Sequence, residues 1–236
     1  MISVIIPTYQ HAGTIAECLD SVFEQTLPPG EVIVVNDGST DGTEKALGPY
    51  LDRITLINQA NQGPQAARNR GWKAATSDRI IFCDADVRMR PDMLERLSAA
   101  LDANPEASYA YSAFRFGWKK FPGVPFDADR LRRRNFIHTT CLVRAADFPG
   151  FDPAVKRLQD WDVWLTMLEA GKTGVLVPDM LFTVAVHGAS RIGSVWMPRI
   201  AYRVPWRWFG WAPPAVRRYQ EARAAIARKH HLLLNG

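Results

Sequence analysis

A short apolar run, a polar cluster and an amphipathic segment follow one another repeatedly at the start of this chain, and that order leaves few folds open. Residues 2–6 (ISVII), 31–35 (EVIVV), 54–57 (ITLI) and 79–83 (RIIFC) have the length and β-branched content of buried strands. Between them, residues 14–26 place Ile15, Cys18, Leu19, Val22 and Phe23 at helical spacing, with Thr14 as the cap. Residues 43–48 and 64–75 read as two further helices. Such alternation predicts a mostly parallel sheet with helices on both faces. Ligands then bind outside the carboxyl ends of the strands. The polar clusters Thr8-Tyr9, 36–41 and 84–86 all stand at those ends.

The last cluster is Asp84-Ala85-Asp86, delivered by the run IIFC. On an extended backbone, residues two apart point to one side. Two carboxylates there repel each other unless a cation or strong donors lie between them. Mg²⁺ and Mn²⁺ take carboxylate and phosphate oxygens together, so the pair predicts a metal–diphosphate site. Two loop aspartates at a strand end are the plain alternative for so short a motif.

At 236 residues the chain fits one α/β domain with a modest appendage. The chain enters a strand at Ile2 without a basic leader, so no signal peptide is expected. No apolar run reaches the ~20 residues of a membrane helix. Cys18, Cys83 and Cys141 form no C-x-x-C pair, which argues against a zinc site or disulfide framework and suits a reducing cytosol. The net charge of +5 divides unevenly: residues 1–113 carry 9 Lys/Arg and 15 Asp/Glu, and residues 114–236 carry 20 and 9. The basic half is expected to face something anionic.

Beyond residue 90 the order is less regular. Residues 91–103 read as a helix and 108–114 as a strand. The basic, aromatic stretch 114–134 reads as a loop over the site, followed by a strand at 136–143. Trp161 begins a helix running to residue 170, capped by Asp160 and stopped by Gly171. Residues 173–177 and 180–186 read as two strands. Trp196, Trp206, Trp208 and Trp211 are interleaved with Arg199, Arg203 and Arg207, ahead of a basic helix at 215–230. That end suits an anionic membrane surface; a helix packed on the domain through Val216, Tyr219, Ala222 and Ile226 is the other reading.

The stretches ISVIIPTYQ, VVNDGSTDGT, NQGPQAARNRGW, FCDADV and QDWDVWLTMLEAG resemble, in order and spacing, those of family 2 glycosyltransferases of the GT-A fold. The resemblance spans residues 1 to about 190, with 1–113 as the nucleotide-sugar half, 114–190 as the acceptor half and 191–236 outside it as a basic, Trp-rich extension. It implies transfer from a UDP- or dTDP-sugar with inversion. Pro7, Thr8 and Tyr9 then lie where base and ribose are held. Asp37 resembles the aspartate that accepts the pyrimidine N–H, and Arg68 an arginine that contacts the nucleotide. Asp84 then reaches the ribose, or the metal through water, with Ala85 beside it on the nucleotide side, and Asp86 binds Mn²⁺ or Mg²⁺. His187 reads either as a further metal ligand or as an ordinary loop histidine, with Ser190 and Arg191 near the diphosphate. Asp160 resembles the base for the acceptor hydroxyl, with Thr139, Thr140, Gln159 and Trp161 on the acceptor side and His138 near them.

Two residues depart from the family pattern: Gln159 stands where glutamate precedes the base, and Gln10 where asparagine is common. The expected partners are a nucleotide-sugar, a glycan or lipid-linked acceptor, and an anionic membrane surface through residues 195–230. No nucleic acid is expected, since no nucleic-acid motif is present. The expected place is the cytoplasm, peripheral to the inner face of the plasma membrane, in bacterial envelope polysaccharide synthesis. A sugar nucleotidyltransferase would carry a Gly-rich basic loop after the first strand, and PTYQHAGT is not one. A glycosyltransferase-like module that binds nucleotide or partner without turnover is the remaining alternative.

Overall fold

The computed structural model describes residues 1–185, 204, 206 and 211–232. The first half follows the expected alternation: β1 (Ile2–Thr8), α1 (Ile15–Phe23), β2 (Glu31–Asn36), α2 (Thr43–Leu47), β3 (Thr55–Asn58), α3 (Pro64–Ala74) and β4 (Arg79–Phe82). β5 (Val87–Met89), α4 (Met93–Ala103), β6 (Ala107–Phe116), β7 (Lys119–Phe121), α5 (Ala128–Arg133), β8 (Leu142–Arg144), α6 (Gln159–Glu169), β9 (Thr173–Val184) and α7 (Pro214–Lys229) complete it. One mixed sheet runs in the order β3-β2-β1-β4-β8-β6-β9-β5, with β7 hung on β6.

β1 pairs in parallel with β2 and β4, and β2 with β3. β1, β2 and β4 are buried on both faces because helices cover both, whereas β3 lies at the sheet edge with Thr55 and Asn58 exposed. Ile6, Val34 and Ile81 enter one core layer with α1 and α4, whereas Ile5, Ile80 and Phe82 enter the other, beside Trp161 and Trp164 of α6. α3 lies against β1 so closely that a β-carbon at Gly71 would run into Ile5. Glycine is therefore set there by close approach, not by backbone dihedrals.

The second half departs from expectation in four places. Residues 114–134 are not one loop: β6 continues to Phe116, turns at Gly117 and Trp118 into β7, and α5 follows. The strand expected over 136–143 shrinks to β8. Residues 173–184 form a single strand whose register against β6 slips near Ser112 and Ala113, so Pro178-Asp179 marks an irregularity and not a turn. α6 begins at Gln159, with Leu158 as its N-cap in the left-handed region (φ 59°), so Asp160 lies inside the first turn and is not the cap.

The C-terminal helix is docked. Val216, Ile226 and Ala227 of α7 are buried. Lys229 bonds Asp152 (2.7 Å) and Asp162 (2.9 Å), while His230 meets Asp162 and Glu169, each at 2.9 Å. Among the described residues no helix is long and apolar enough to cross a membrane.

Candidate active site

The segment from β4 to β5 fixes the geometry. β4 lies mid-sheet, but β5 pairs with β9 at the far edge, so Cys83 to Asp86 must travel between them at the carboxyl edge. The chain makes a turn there, with Val87 N–H donating to the Asp84 carbonyl at 2.9 Å, and Ala185 N–H ties the Asp86 carbonyl to the end of β9 at 2.8 Å. The two aspartates are thus displayed by a turn and not by simple strand alternation. Asp84 Oδ1 accepts from Arg68 Nη2 at 2.6 Å. Asp86 has no side-chain hydrogen bond or ion pair with another residue among those described.

Their protonation follows. Both keep intermediate surface exposure, yet protein surrounds them closely enough for desolvation to matter. For Asp84, burial pushes upward, but the charge and hydrogen bond of Arg68, with His138 and His11, hold the carboxyl below its usual range. Asp86 is pushed up to about 7, first by burial and then by the charge of Asp84. A half-buried carboxylate that is disfavoured when ionised and has no side-chain partner among the described residues could be neutralised by a cation. Among the described residues, no three His, Cys, Asp or Glu side chains converge on one metal-sized point. His187, Ser190 and Arg191 lie outside the described residues.

Arg68 is the hub. It comes from α3, is nearly buried, and its guanidinium sits 5.3 Å over the Phe151 ring. Its charge reaches Asp84, Asp86, Asp160 and His138, which come from three separate segments. Its Nε is buried without a hydrogen-bond partner among the described residues, as are Thr8 Oγ1 and Thr140 Oγ1. Orphaned donors and hydroxyls along one edge are what a polar ligand would satisfy.

Asp160 lies on the other wall. Its Oδ2 accepts from Asn135 Nδ2 at 2.6 Å and its Oδ1 from the Trp161 N–H at 2.9 Å. Each oxygen keeps acceptor capacity for an incoming hydroxyl. Burial raises its pKa to about 6, and the Trp161 N–H, Arg68 and Asn135 moderate the rise. His138 stands beside this wall with its ring between Phe114 and Phe182, 4.9 and 5.1 Å away. Thr140 N–H donates to its Nδ1 at 3.1 Å, which leaves the proton on Nε2. Burial lowers its pKa to about 4, so the ring is neutral.

The other expected residues divide. Tyr9 is exposed beside buried Thr8. Pro7 and Ala85 are buried in the frame. Asp37 is buried and already accepts from Gln59 Nε2 (2.7 Å), Gln62 N–H (2.9 Å) and Gly63 N–H (2.8 Å), leaving Oδ2 the freer oxygen. Gln159 Nε2 bonds the Lys156 carbonyl at 3.0 Å. Trp161, expected on the acceptor side, is instead core: it is buried and its indole N–H donates to the Leu131 carbonyl at 2.7 Å. Thr139 is half-buried and Thr140 buried behind His138. Asn135 was not expected, because nothing in its local sequence shows that α6 will lie against it.

A profile of glycosyl transferase family 2 matches residues 3–151. The chain belongs to glycosyl transferase family 2. A mycobacterial family relative, the PGL/p-HBAD biosynthesis glycosyltransferase of Mycobacterium bovis, is 33% identical over 176 residues, covering 69% of this chain and 67% of that protein. The uncharacterized glycosyltransferase YibD of Escherichia coli is 35% identical over 137 residues, covering 56% of this chain, and this chain spans only 39% of it. Among solved structures, S. aureus TarS 1–349 in complex with UDP superposes with a TM-score of 0.65 at 23% identity, over 78% of this chain and 60% of that one. The mannosyltransferase PcManGT from Pyrobaculum calidifontis, in complex with GDP-Man and Mn²⁺, gives 0.67 at 23%, over 95% and 69%. The family's GT-A architecture is thus the fold of this chain.

Proposed function

We propose that this family 2 glycosyltransferase moves a hexosyl group, with inversion, from a UDP- or dTDP-sugar to a glycan or lipid-linked acceptor in bacterial envelope polysaccharide synthesis. The observation that carries this reading is that the charge of Arg68 acts on two unlike carboxylates: Asp86, which has no side-chain partner among the described residues and lies beside Asp84, and Asp160, tethered by Asn135. The neighbours bound to UDP, or to GDP-Man with Mn²⁺, support a nucleotide-sugar at the corresponding edge. The mycobacterial relative supports a bacterial glycan pathway.

In this reading residues 1–113 hold the donor. Tyr9 flanks the base, Thr8 and Asp37 border it, and Arg68 sets its charge against the diphosphate. Asp86, with Asp84 beside it, would hold Mn²⁺ or Mg²⁺, and His187 is a further ligand to test. Such an ion supplies charge neutralisation for the leaving nucleotide, so the chain needs no acid there. Residues 114–190 present the acceptor. Asp160 takes the proton of the acceptor hydroxyl at an oxygen held by Asn135 or by the Trp161 N–H. The hydroxyl oxygen then attacks the anomeric carbon from the side opposite the nucleotide. Neutral His138 offers an Nε2–H donor between the two halves. The enzyme works on the cytoplasmic side of the membrane, at its anionic surface.

Asp160→Asn separates the roles. The amide keeps the shape but cannot accept the proton, so transfer should fall by 10²–10⁴-fold with donor binding unchanged. Near-normal transfer by this variant would place the base elsewhere. Unchanged donor binding with no transfer by the wild-type enzyme to any envelope glycan would favour a nucleotide-binding module without turnover.

A further inference from the structure

We propose that the β6–β7 hairpin and helix α5 form a docking surface for an anionic lipid bilayer, placed beside the mouth of the cleft. This goes beyond the reaction and does not depend on which sugar is moved.

The topology sets the position. β8 runs antiparallel to β4, and β6 antiparallel to β8, so β6 leaves the sheet in the same direction as β1, β2 and β4. The hairpin therefore extends from the carboxyl edge, where Asp84, Asp86 and Asp160 stand. Gly117 N–H anchors it to the Val184 carbonyl at 3.1 Å. Its two faces differ. Phe114 and Phe121 stack at 4.7 Å, and Phe114 stacks on Phe182 at 5.1 Å, so this face is packed inward. Arg115 and Lys120 are a cross-strand pair on the opposite face, and both are exposed. At the tip stands Trp118, 91% exposed. The fold gains nothing from an indole left in water.

α5 follows the hairpin in the chain and adds exposed cations. Leu131 turns into the core, while Arg132, Arg133 and Arg134 are exposed, with Arg132 held to Asp129 at 2.9 Å. Asn135, which grips Asp160, is the next residue. Residues 115–134 carry seven Lys/Arg against two Asp. An indole settles at the headgroup boundary of a bilayer, and juxtaposed cations meet lipid phosphates there. A soluble polyanion would satisfy the cations and leave Trp118 in water, so the combination selects the bilayer. The C-terminal helix cannot take this role through its apolar stripe, because Val216, Ile226 and Ala227 face the domain.

Flotation of the full chain with vesicles tests the assignment, read without donor or acceptor so that it stands apart from the enzymatic reading. Phosphatidylglycerol-rich vesicles should carry the protein and pure phosphatidylcholine vesicles should not. Trp118→Ala should weaken the partitioning about tenfold, and Arg115→Glu with Lys120→Glu by more than tenfold. Both sites are exposed, and unchanged circular dichroism would certify the fold. Arg217→Glu with Arg218→Glu on α7 should leave partitioning within about twofold of wild type. No flotation of the wild-type chain with anionic vesicles would overturn the proposal. So would loss of flotation in the α7 variant alone. Binding of inorganic polyphosphate in place of vesicles, equal in wild type and Trp118→Ala, would make the surface a polyanion site and overturn it too.

Discussion

Asp160 meets two donors, and the difference between them is testable. The Trp161 N–H is backbone and cannot be deleted, whereas Asn135 Nδ2 can. A base must be ionised to act, so kcat/KM should fall about tenfold per pH unit below Asp160's pKa of about 6. Asn135 stabilises the charged form. Removing one hydrogen bond to a carboxylate costs roughly 1.5 kcal/mol, or about one pH unit. Asn135→Ala should therefore move the acid limb upward by about one unit, while the plateau stays within a few-fold of wild type. An unmoved limb in the pH–rate profile would show that Asn135 does not tune the base. Gln10 gives a second lesson at this scale. It adopts φ 60°, a left-handed conformation better suited to asparagine, and its side chain compensates by bonding Thr40 through both Nε2 (2.8 Å) and Oε1 (3.3 Å).

At the scale of elements, α6 and α7 are joined by a buried polar latch. Asp162 is 2% exposed and faces both Lys229 and His230. For His230, burial disfavours the charged ring, but Asp162 and Glu169 outweigh it and raise the pKa above 6.5. A raised folded pKa means the contribution is fully present below pH 6.5 and is lost as pH rises through the folded value. Thermal denaturation of the wild-type chain should therefore show a fall in stability above that range. His230→Ala should cost about 2–3 kcal/mol at pH 6 and flatten the slope, because it leaves Asp162 with Lys229 alone. A variant with the wild-type slope would place the pH dependence in another group. The same latch explains why residues 215–230 read ambiguously. Their thin apolar face is enough for docking once salt bridges assist it, and too thin to show which surface it meets.

Across the whole molecule, legibility follows sequence distance. β1 to β4 could be read directly because each strand is flanked by its own helix, and the parallel order needs no distant partner to be inferred. The place of Asp84-Ala85-Asp86 at the carboxyl end of β4 is legible for the same reason. β5 was not: it has three residues and pairs with β9, nearly a hundred residues away. Residues 136–141 have strand composition but take their bonds from the Asn135 and His138 side chains, and not from a ladder. The Trp161 pattern was legible as helix, while its burial depended on α5, itself unseen within a basic stretch. The candidate site divides in the same way: Asp84 and Arg68 come from neighbouring elements of the regular half, whereas Asn135 and Asp160 come from separate segments that only the fold brings together.

Asp86 and Asp160 are assigned different work, metal binding and proton acceptance, and calorimetric titration of UDP with and without Mn²⁺ separates the two. The wild-type chain should bind UDP more tightly with Mn²⁺, Asp160→Asn should bind equally well, and Asp86→Ala should lose the Mn²⁺ enhancement by tenfold or more. UDP binding that is indifferent to Mn²⁺, or an enhancement that survives in Asp86→Ala, would show that Asp86 does not hold a metal for the nucleotide.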